Sequence, residues 1–147
     1  MKAPCIMRVA AKAPPCLEIF WSTNENYCVD ISRPVKRFQV LAPLSDPAFF
    51  ANAQVGLWGH SITWSDEVDL GADLLYDLCR EQAGLPTPTE FDLWIKRNHL
   101  SLSKAAECLG LSRRMVAHYR SGSKPIPKIV GLACKGWEAQ QRKAIAA

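Results

Sequence analysis

The segment LGLSRRMVAHYRSG, residues 109–122, places arginine and histidine on one side of a predicted helix. Arg113 and Arg114 fall in the first turn, where positive side chains oppose the helix dipole and cost some stability. The placement is understandable if an acidic group lies opposite, because arginine can bond a phosphate or the O6 and N7 atoms of guanine bidentately. The alternative interpretation is an ordinary solvated face of a helical bundle.

The residues around these arginines predict two short helices joined by a tight turn, the arrangement of a helix-turn-helix. Ser101 opens the first helix, and Gly110 provides the sharp turn. Ser112 caps the second helix and Gly122 ends it. The apolar stripe of the first helix follows the helical period and consists of Leu102, Ala105, Ala106 and Leu109.

The helical period divides the second helix into an inner stripe and an outer face. The inner stripe consists of Met115, Val116 and Tyr119. One of Arg113 and Arg114 is the best candidate for reading a base. Contacts to phosphates are expected from hydroxyls, free helical N–H groups and basic side chains, namely those of Ser101, Ser112, Arg120, Ser121, Lys124 and Lys128.

The charge of the chain is unevenly distributed. Residues 1–84 contain seven Lys and Arg against ten Asp and Glu, a net charge of −3, whereas residues 85–147 contain eleven against four, a net charge of +7. The sign changes at AGLPTPTE, residues 83–90, where two prolines and a glycine interrupt the pattern. We therefore expect two domains, 1–84 and 85–147, with different partners.

The composition is that of a soluble globular protein, with no apolar run of membrane-spanning length and no signal-peptide pattern. The six cysteines are widely spaced, which favours reduced, mostly buried thiols in a cytoplasmic protein. A metal site built from Cys5, Cys16, Cys28 and His60 is the less favoured alternative.

The sequence gives little support to an enzyme. Carboxylate pairs such as Asp66 with Glu67 and Asp73 with Asp77 are more often hydrated helix surfaces than acid–base pairs. Nucleophile, phosphate-loop and metalloprotease motifs are lacking. We therefore expect no catalytic activity and no cofactor.

The first domain is expected to be a small antiparallel sheet with short helices. Alternation predicts a hairpin over residues 16–32, another strand over 37–44, and two short strands within 53–64. Asp46 followed by Pro47 predicts a short helix, and residues 69–84 predict a longer one that buries Leu70, Leu74, Leu75 and Leu78. Trp21, Trp58 and Trp64 are most simply core residues, although an exposed one would mark a partner surface or a ligand pocket.

Helices alone are expected after the boundary. Thr87 to Glu90 fits a capping box, followed by an apolar stripe of Phe91, Trp94 and Ile95. A last helix is predicted within residues 125–144, where Trp137 anchors its tail to the core. The fold class is thus α+β, with an all-α helix-turn-helix domain at the C-terminal end.

LSLSKAAECLGLSRRMVAHYRSG resembles the helix-turn-helix of the lambda-repressor-like (Xre/Cro) DNA-binding domains, and the flanking helices extend this likeness to about residues 87–140. The resemblance implies that the second helix contacts bases with residues of its first turn and with residues one turn further along its outward face. In this sequence these are Arg113, Arg114, Ala117 and His118. One position departs from the pattern, since the residue after the first cap is often a phosphate-binding glutamine and here is Leu102.

The N-terminal half resembles a small prokaryotic family of unknown function that shares a PL-x-DP-x-FF stretch, here Pro43 to Phe50. The family also has I-x-W, an acidic-Leu stretch and D-x-L-Y, here Ile62 to Trp64, Asp69-Leu70 and Asp73 to Tyr76. The resemblance implies a compact α+β domain, sometimes joined to a helix-turn-helix or encoded beside toxin-like partners. Some members are named for their proximity to nitrite-reductase genes.

These observations predict a non-enzymatic bacterial transcriptional regulator that reads duplex DNA in the major groove with the helix at 112–121. One such module makes few base contacts, so we expect a homodimer on a two-part site, with the N-terminal domain serving dimerisation or sensing. The alternative is an antitoxin-like module whose N-terminal domain binds a protein partner, with DNA binding as autoregulation.

Overall fold

The computed structural model describes residues 3–146 and separates into two compact units. One unit spans residues 4–82, and the other contains residue 3 and residues 83–146. Met1, Lys2 and Ala147 belong to the predicted domains but lie outside the described residues. None of the described helices is both long and apolar enough to cross a membrane.

The first unit begins with an antiparallel three-stranded sheet in the order β1 (Ile6–Ala11), β2 (Cys16–Trp21), β3 (Asn26–Asp30). The predicted hairpin is formed by β2 and β3. Strand β1, which the sequence did not predict, pairs with the other edge of β2. Alternate residues of β2, Leu17, Ile19 and Trp21, are fully buried, as the period of two requires.

The prediction of a strand over residues 37–44 is wrong. This part of the chain forms α1 (Ser32–Arg37) and then a 3₁₀ helix over Gln39–Ser45. Its buried side chains are Leu41 and Leu44, three residues apart, which is the period of a 3₁₀ helix rather than of a strand. Pro43 also lacks the N–H that a strand would contribute to a sheet.

A second antiparallel sheet and two helices complete this unit. Asp46 caps α2 (Pro47–Phe50) as predicted, its carboxylate accepting the N–H of Ala48 at 3.1 Å. The sheet has the order β4 (Gln54–Val55), β5 (Ser61–Thr63), β6 (Asp69–Gly71), and α3 (Ala72–Gln82) follows directly.

Two expectations for this region are wrong. The helix predicted over 69–84 starts only at Ala72, because the first three residues form β6. This start places Leu74 on the outer face, 39 % exposed, while Leu75 and Leu78 are buried. Trp58, expected in the core with Trp21 and Trp64, is 77 % exposed, because a 3₁₀ turn at Leu57–Gly59 interrupts the strand pattern.

The described residues of the second unit form four helices: α4 (Pro88–Arg97), α5 (Leu102–Leu109), α6 (Arg113–Ser121) and α7 (Lys128–Ala146). Its core contains Phe91, Trp94 and Ile95 of α4, as the apolar stripe predicted. Trp137 of α7 packs edge-to-face on Trp94, with 5.5 Å between ring centroids. The tail of α7 is therefore anchored as expected.

The cysteines are less buried than expected. Cys79 and Cys134 are buried, and burial raises the pKa of each thiol to about 12. Cys5, Cys16 and Cys108 are half-buried, and Cys28 is exposed. Among the described residues, no three His, Cys, Asp or Glu side chains gather as metal ligands, so the alternative metal site is not formed there.

Candidate nucleic-acid interface

The turn between α5 and α6 is defined by local hydrogen bonds. Ser101 caps α5, its hydroxyl accepting the N–H of Lys104 at 3.0 Å. The helix ends at Gly110, whose φ of +71° is in the left-handed region that favours glycine. The N–H of Leu111 then donates to the carbonyl of Ala106 at 2.9 Å. This closure fixes the direction in which the chain enters α6.

Helix α6 has one face anchored in the core of its unit. Ser112 caps it by accepting the N–H of Met115 at 3.1 Å. Val116 is fully buried and Tyr119 is 8 % exposed. The ring of Tyr119 meets that of Phe91 edge-to-face, with 6.1 Å between centroids. The face that remains outward is therefore held by packing rather than by the helix alone.

Arg113 and Arg114 lie on the exposed N-terminal end of α6. The first turn of this helix has no acidic residue. In the part of the chain that the structure describes, no carboxylate forms an ion pair with either guanidinium within 4 Å. Two adjacent positive groups thus stand beside the free N–H groups of a helix N-terminus, which is an arrangement suited to an anionic partner.

Arg120 differs from these two arginines. Its Nε–H donates to a carboxylate oxygen of Asp92 on α4 at 2.6 Å. The predicted phosphate contact of Arg120 therefore involves a side chain that already joins two helices. Asp92 is a positioning residue that sequence reasoning missed, because 28 residues separate it from its partner.

His118 is half-buried on α6 and is held by a cluster of hydroxyls. Its Nδ1 lies 2.8 Å from the hydroxyl oxygen of Ser123. The hydroxyl of Ser121 is 3.1 Å from both the Ser123 hydroxyl and the carbonyl of His118. Partial burial, followed by the charges of Lys124 and Arg114, lowers the pKa of His118 below its usual value. Sequence reasoning missed Ser123, which lies beyond the glycine that ends the helix.

The remaining predicted contact residues are exposed or half-buried. Ser101, Ser112, Lys124 and Lys128 are exposed, whereas Ala117 and Ser121 are half-buried. Leu102, which departs from the pattern of the lambda-repressor-like domains, packs against the core of the second unit. The base and phosphate contacts assigned to these residues stay predictions.

Residues 6–81 match a family described as Protein of unknown function (DUF2442). They make up more than half of the chain, which therefore belongs to this family. The likeness of the N-terminal half to a family of unknown function is thus confirmed. The likeness of the C-terminal half to lambda-repressor-like domains stays a prediction.

A solved structure shares the fold over nearly the whole chain: "Crystal Structure of Putative DNA Binding Protein NE0471 from Nitrosomonas europaea ATCC 19718". The two sequences are 42 % identical, the TM-score is 0.84, and the alignment covers 95 % of this chain and 90 % of that one. No match to the chain is found among curated proteins.

Proposed function

We propose that this protein binds duplex DNA sequence-specifically through α6 and acts as a bacterial transcriptional regulator. The observation that carries the proposal is the pair Arg113 and Arg114, exposed and without an ion-pair partner among the described residues, at the N-terminal end of a helix whose other face is buried. The α5–turn–α6 segment then serves as a helix-turn-helix of the lambda-repressor-like type, with α6 in the major groove.

The proposed contacts fall into two groups. Arg113 and Arg114 read base edges from the first turn of α6, with Ala117 and His118 in the next outward row. Phosphate contacts come from Ser101, Ser112, Ser121, Lys124, Lys128 and the terminal amino groups of Arg120. The N-terminal helical N–H groups of α5 add a site for one phosphate.

Two further observations support this proposal. The net charge of +7 on residues 85–147 suits a polyanion. The similar protein from Nitrosomonas europaea is described as a "Putative DNA Binding Protein". The proposed regulator has no catalytic activity and acts as a homodimer on a two-part site, because one helix-turn-helix makes few base contacts.

Salt titration of binding tests the proposal, using the DNA upstream of the protein's own gene beside a randomised duplex pool. Wild-type protein should lose affinity steeply with salt and should select one sequence. Whichever of Arg113→Ala and Arg114→Ala removes a base contact should weaken binding to that sequence by about 1–3 kcal/mol. Arg142→Ala, which removes an equal charge from α7, serves as the control. Unchanged binding by the double arginine variant would refute the proposal.

A second candidate function is an antitoxin-like module that binds a protein partner through its N-terminal unit. The observation that favours it is the pair Leu57 and Trp58, each 77 % exposed. Co-expression with the product of a neighbouring gene should then give a stable complex that Trp58→Ala weakens. Equal recovery of the complex with Trp58→Ala would remove the support that this pair provides.

A further inference from the structure

We propose that Ser123 positions the His118 imidazole so that its Nε2–H acts as a single hydrogen-bond donor to an acceptor on a base edge in the major groove. The inference rests on the proposed DNA-binding function and deepens it. Ser123 becomes a positioning residue, and His118 becomes a specificity-determining residue with a defined hydrogen-bonding role.

The first step is the contact between the two side chains. The Ser123 hydroxyl oxygen lies 2.8 Å from Nδ1 of His118, a distance typical of a well-formed hydrogen bond. Ser123 is held in place at the end of α6, since its N–H lies 3.3 Å from the Ser121 hydroxyl. Gly122 permits this return of the chain, because its φ is +83°.

The second step concerns the hydrogen of the Ser123 hydroxyl. Two other oxygens lie near this hydroxyl: that of Ser121 at 3.1 Å, which donates to Ser123, and the carbonyl oxygen of His118 at 3.4 Å. Both distances exceed the usual range for an O–H···O bond. Nδ1 is therefore the better acceptor. When Nδ1 accepts, the proton of the neutral ring is on Nε2, since the bond made by one ring nitrogen determines the tautomer of the other.

The third step concerns the charge of the ring. Partial burial of His118 and the positive charges of Lys124 and Arg114 lower its pKa, which favours the neutral ring at pH 7. A neutral ring with Nδ1 occupied presents one donor and no acceptor.

This chemistry predicts which bases can be read. Guanine, adenine and thymine each present an acceptor in the major groove, whereas cytosine presents only its N4 amino donor. His118 should therefore disfavour cytosine at one position of the strand that it contacts. A phosphate oxygen would also accept the Nε2–H, but that contact would carry no sequence preference.

The first measurement is ¹⁵N NMR of the histidine rings in the full chain, with His118 assigned by the loss of its signals in His118→Gln. Nδ1 of His118 should resonate as an unprotonated acceptor at neutral pH. Ser123→Ala should shift the tautomer balance, whereas Ser123→Thr should restore it and Ser103→Ala, on α5, should change nothing. A protonated Nδ1 in the wild type, or an unchanged spectrum in Ser123→Ala, would overturn the inference.

The second measurement is selection from a randomised duplex pool. His118→Ala and Ser123→Ala should relax the preference at the same position by roughly 3- to 10-fold, as expected for one hydrogen bond, and leave the other positions unchanged. A uniform loss of affinity with a smaller salt slope would indicate a phosphate contact and overturn the inference.

The two proposals fail in different ways. Loss of selection in the arginine variants, together with full selection in Ser123→Ala and His118→Ala, would refute the roles of Ser123 and His118 and leave the proposed DNA binding through Arg113 and Arg114 intact. Absence of any duplex binding by the wild-type protein would refute both.

Discussion

Asp92 of α4 and Arg120 of α6 form an ion pair in which 2.6 Å separates the carboxylate oxygen from Nε. Lys96, one turn further along α4, approaches the other carboxylate oxygen at 2.8 Å. A single carboxylate therefore joins α4 to the C-terminal half of α6. It helps to fix the helix that presents the candidate base-reading arginines.

Asp92→Asn should lower the free energy of unfolding by about 1 kcal/mol at pH 7. Burial raises the pKa of Asp92, but hydrogen bonds from Lys96 and Arg120 and their charges outweigh it and lower the pKa below 3.8. A lowered pKa in the folded state stabilises the protein above the unfolded value, and this stabilisation is lost as the pH falls through the folded value. The difference between wild type and variant in urea unfolding should therefore shrink below about pH 3.8.

The control for this prediction is Glu107→Gln. Glu107 pairs with Lys104 at 3.6 Å, and both side chains are more than half exposed. Solvent screens such a pair, so its removal should change stability by less than about 0.5 kcal/mol. An equal cost in both variants would contradict the structural role of Asp92.

Two glycines of α7 should respond to alanine in opposite directions. Gly136 has open space around it, so Gly136→Ala should stabilise the helix by about 0.5–1 kcal/mol. A Cβ at Gly131 would lie 2.5 Å from Cγ of Pro86. Gly131→Ala should therefore destabilise the protein by about 1–3 kcal/mol, because the proline ring has little freedom to move.

Thermal unfolding of both variants measures this difference. The double variant Gly131→Ala with Pro86→Ala removes the clashing Cγ and should recover part of the lost stability. No recovery would show that the close approach of Pro86 is not the cause.

The helices of the second unit could be predicted from the sequence, because the residues that begin and end them act locally. The caps Ser101 and Ser112 and the glycines Gly110 and Gly122 act within a few residues of the bonds they make. The same is true of the N-cap Asp46. Local rules therefore predicted where α5 and α6 begin and end.

The contacts that orient the site were beyond such rules. Arg120 and Asp92 are joined across 28 residues, and no local pattern marks one as the partner of the other. Residues 37–44 were wrongly predicted as a strand because short apolar stretches fit a period of two or three equally well. Trp58 was misplaced because hydrophobicity alone does not show when a turn directs a side chain outward.

Glu25→Gln should lower the free energy of unfolding by about 3–5 kcal/mol, because it removes the carboxylate that pairs with a buried arginine. The Glu25 carboxylate accepts hydrogen bonds from the hydroxyls of Thr23, Tyr27 and Tyr76, and from Arg80 at 3.0 Å. The side chain of Arg80 is only 4 % exposed. Chemical unfolding at pH 7 measures the loss, and Glu67→Gln, at an exposed position, is the matched control.

The Glu25 carboxylate should also make the free energy of unfolding depend on pH. Burial raises the pKa of Glu25, but the three hydroxyl bonds and the charge of Arg80 lower it below 4.5 overall. Its contribution is therefore complete above pH 4.5 and is lost as the pH falls through the folded value. A gap between wild type and Glu25→Gln that widened on acidification would contradict this assignment.

Trp58→Gly should make the protein more stable than Trp58→Ala does, by about 1 kcal/mol. Trp58 has a φ of +60°, a conformation that is strained for any residue with a Cβ, and its side chain is 77 % exposed. Removing the indole should therefore cost little, and only glycine should also remove the strain. Trp64→Ala is the contrasting variant, because Trp64 is buried and its indole N–H donates to the carbonyl of Phe50 at 2.9 Å. This variant should lower the free energy of unfolding by about 3–5 kcal/mol. A loss of several kcal/mol in Trp58→Ala, dependent on protein concentration, would show instead that this side chain is buried in a complex.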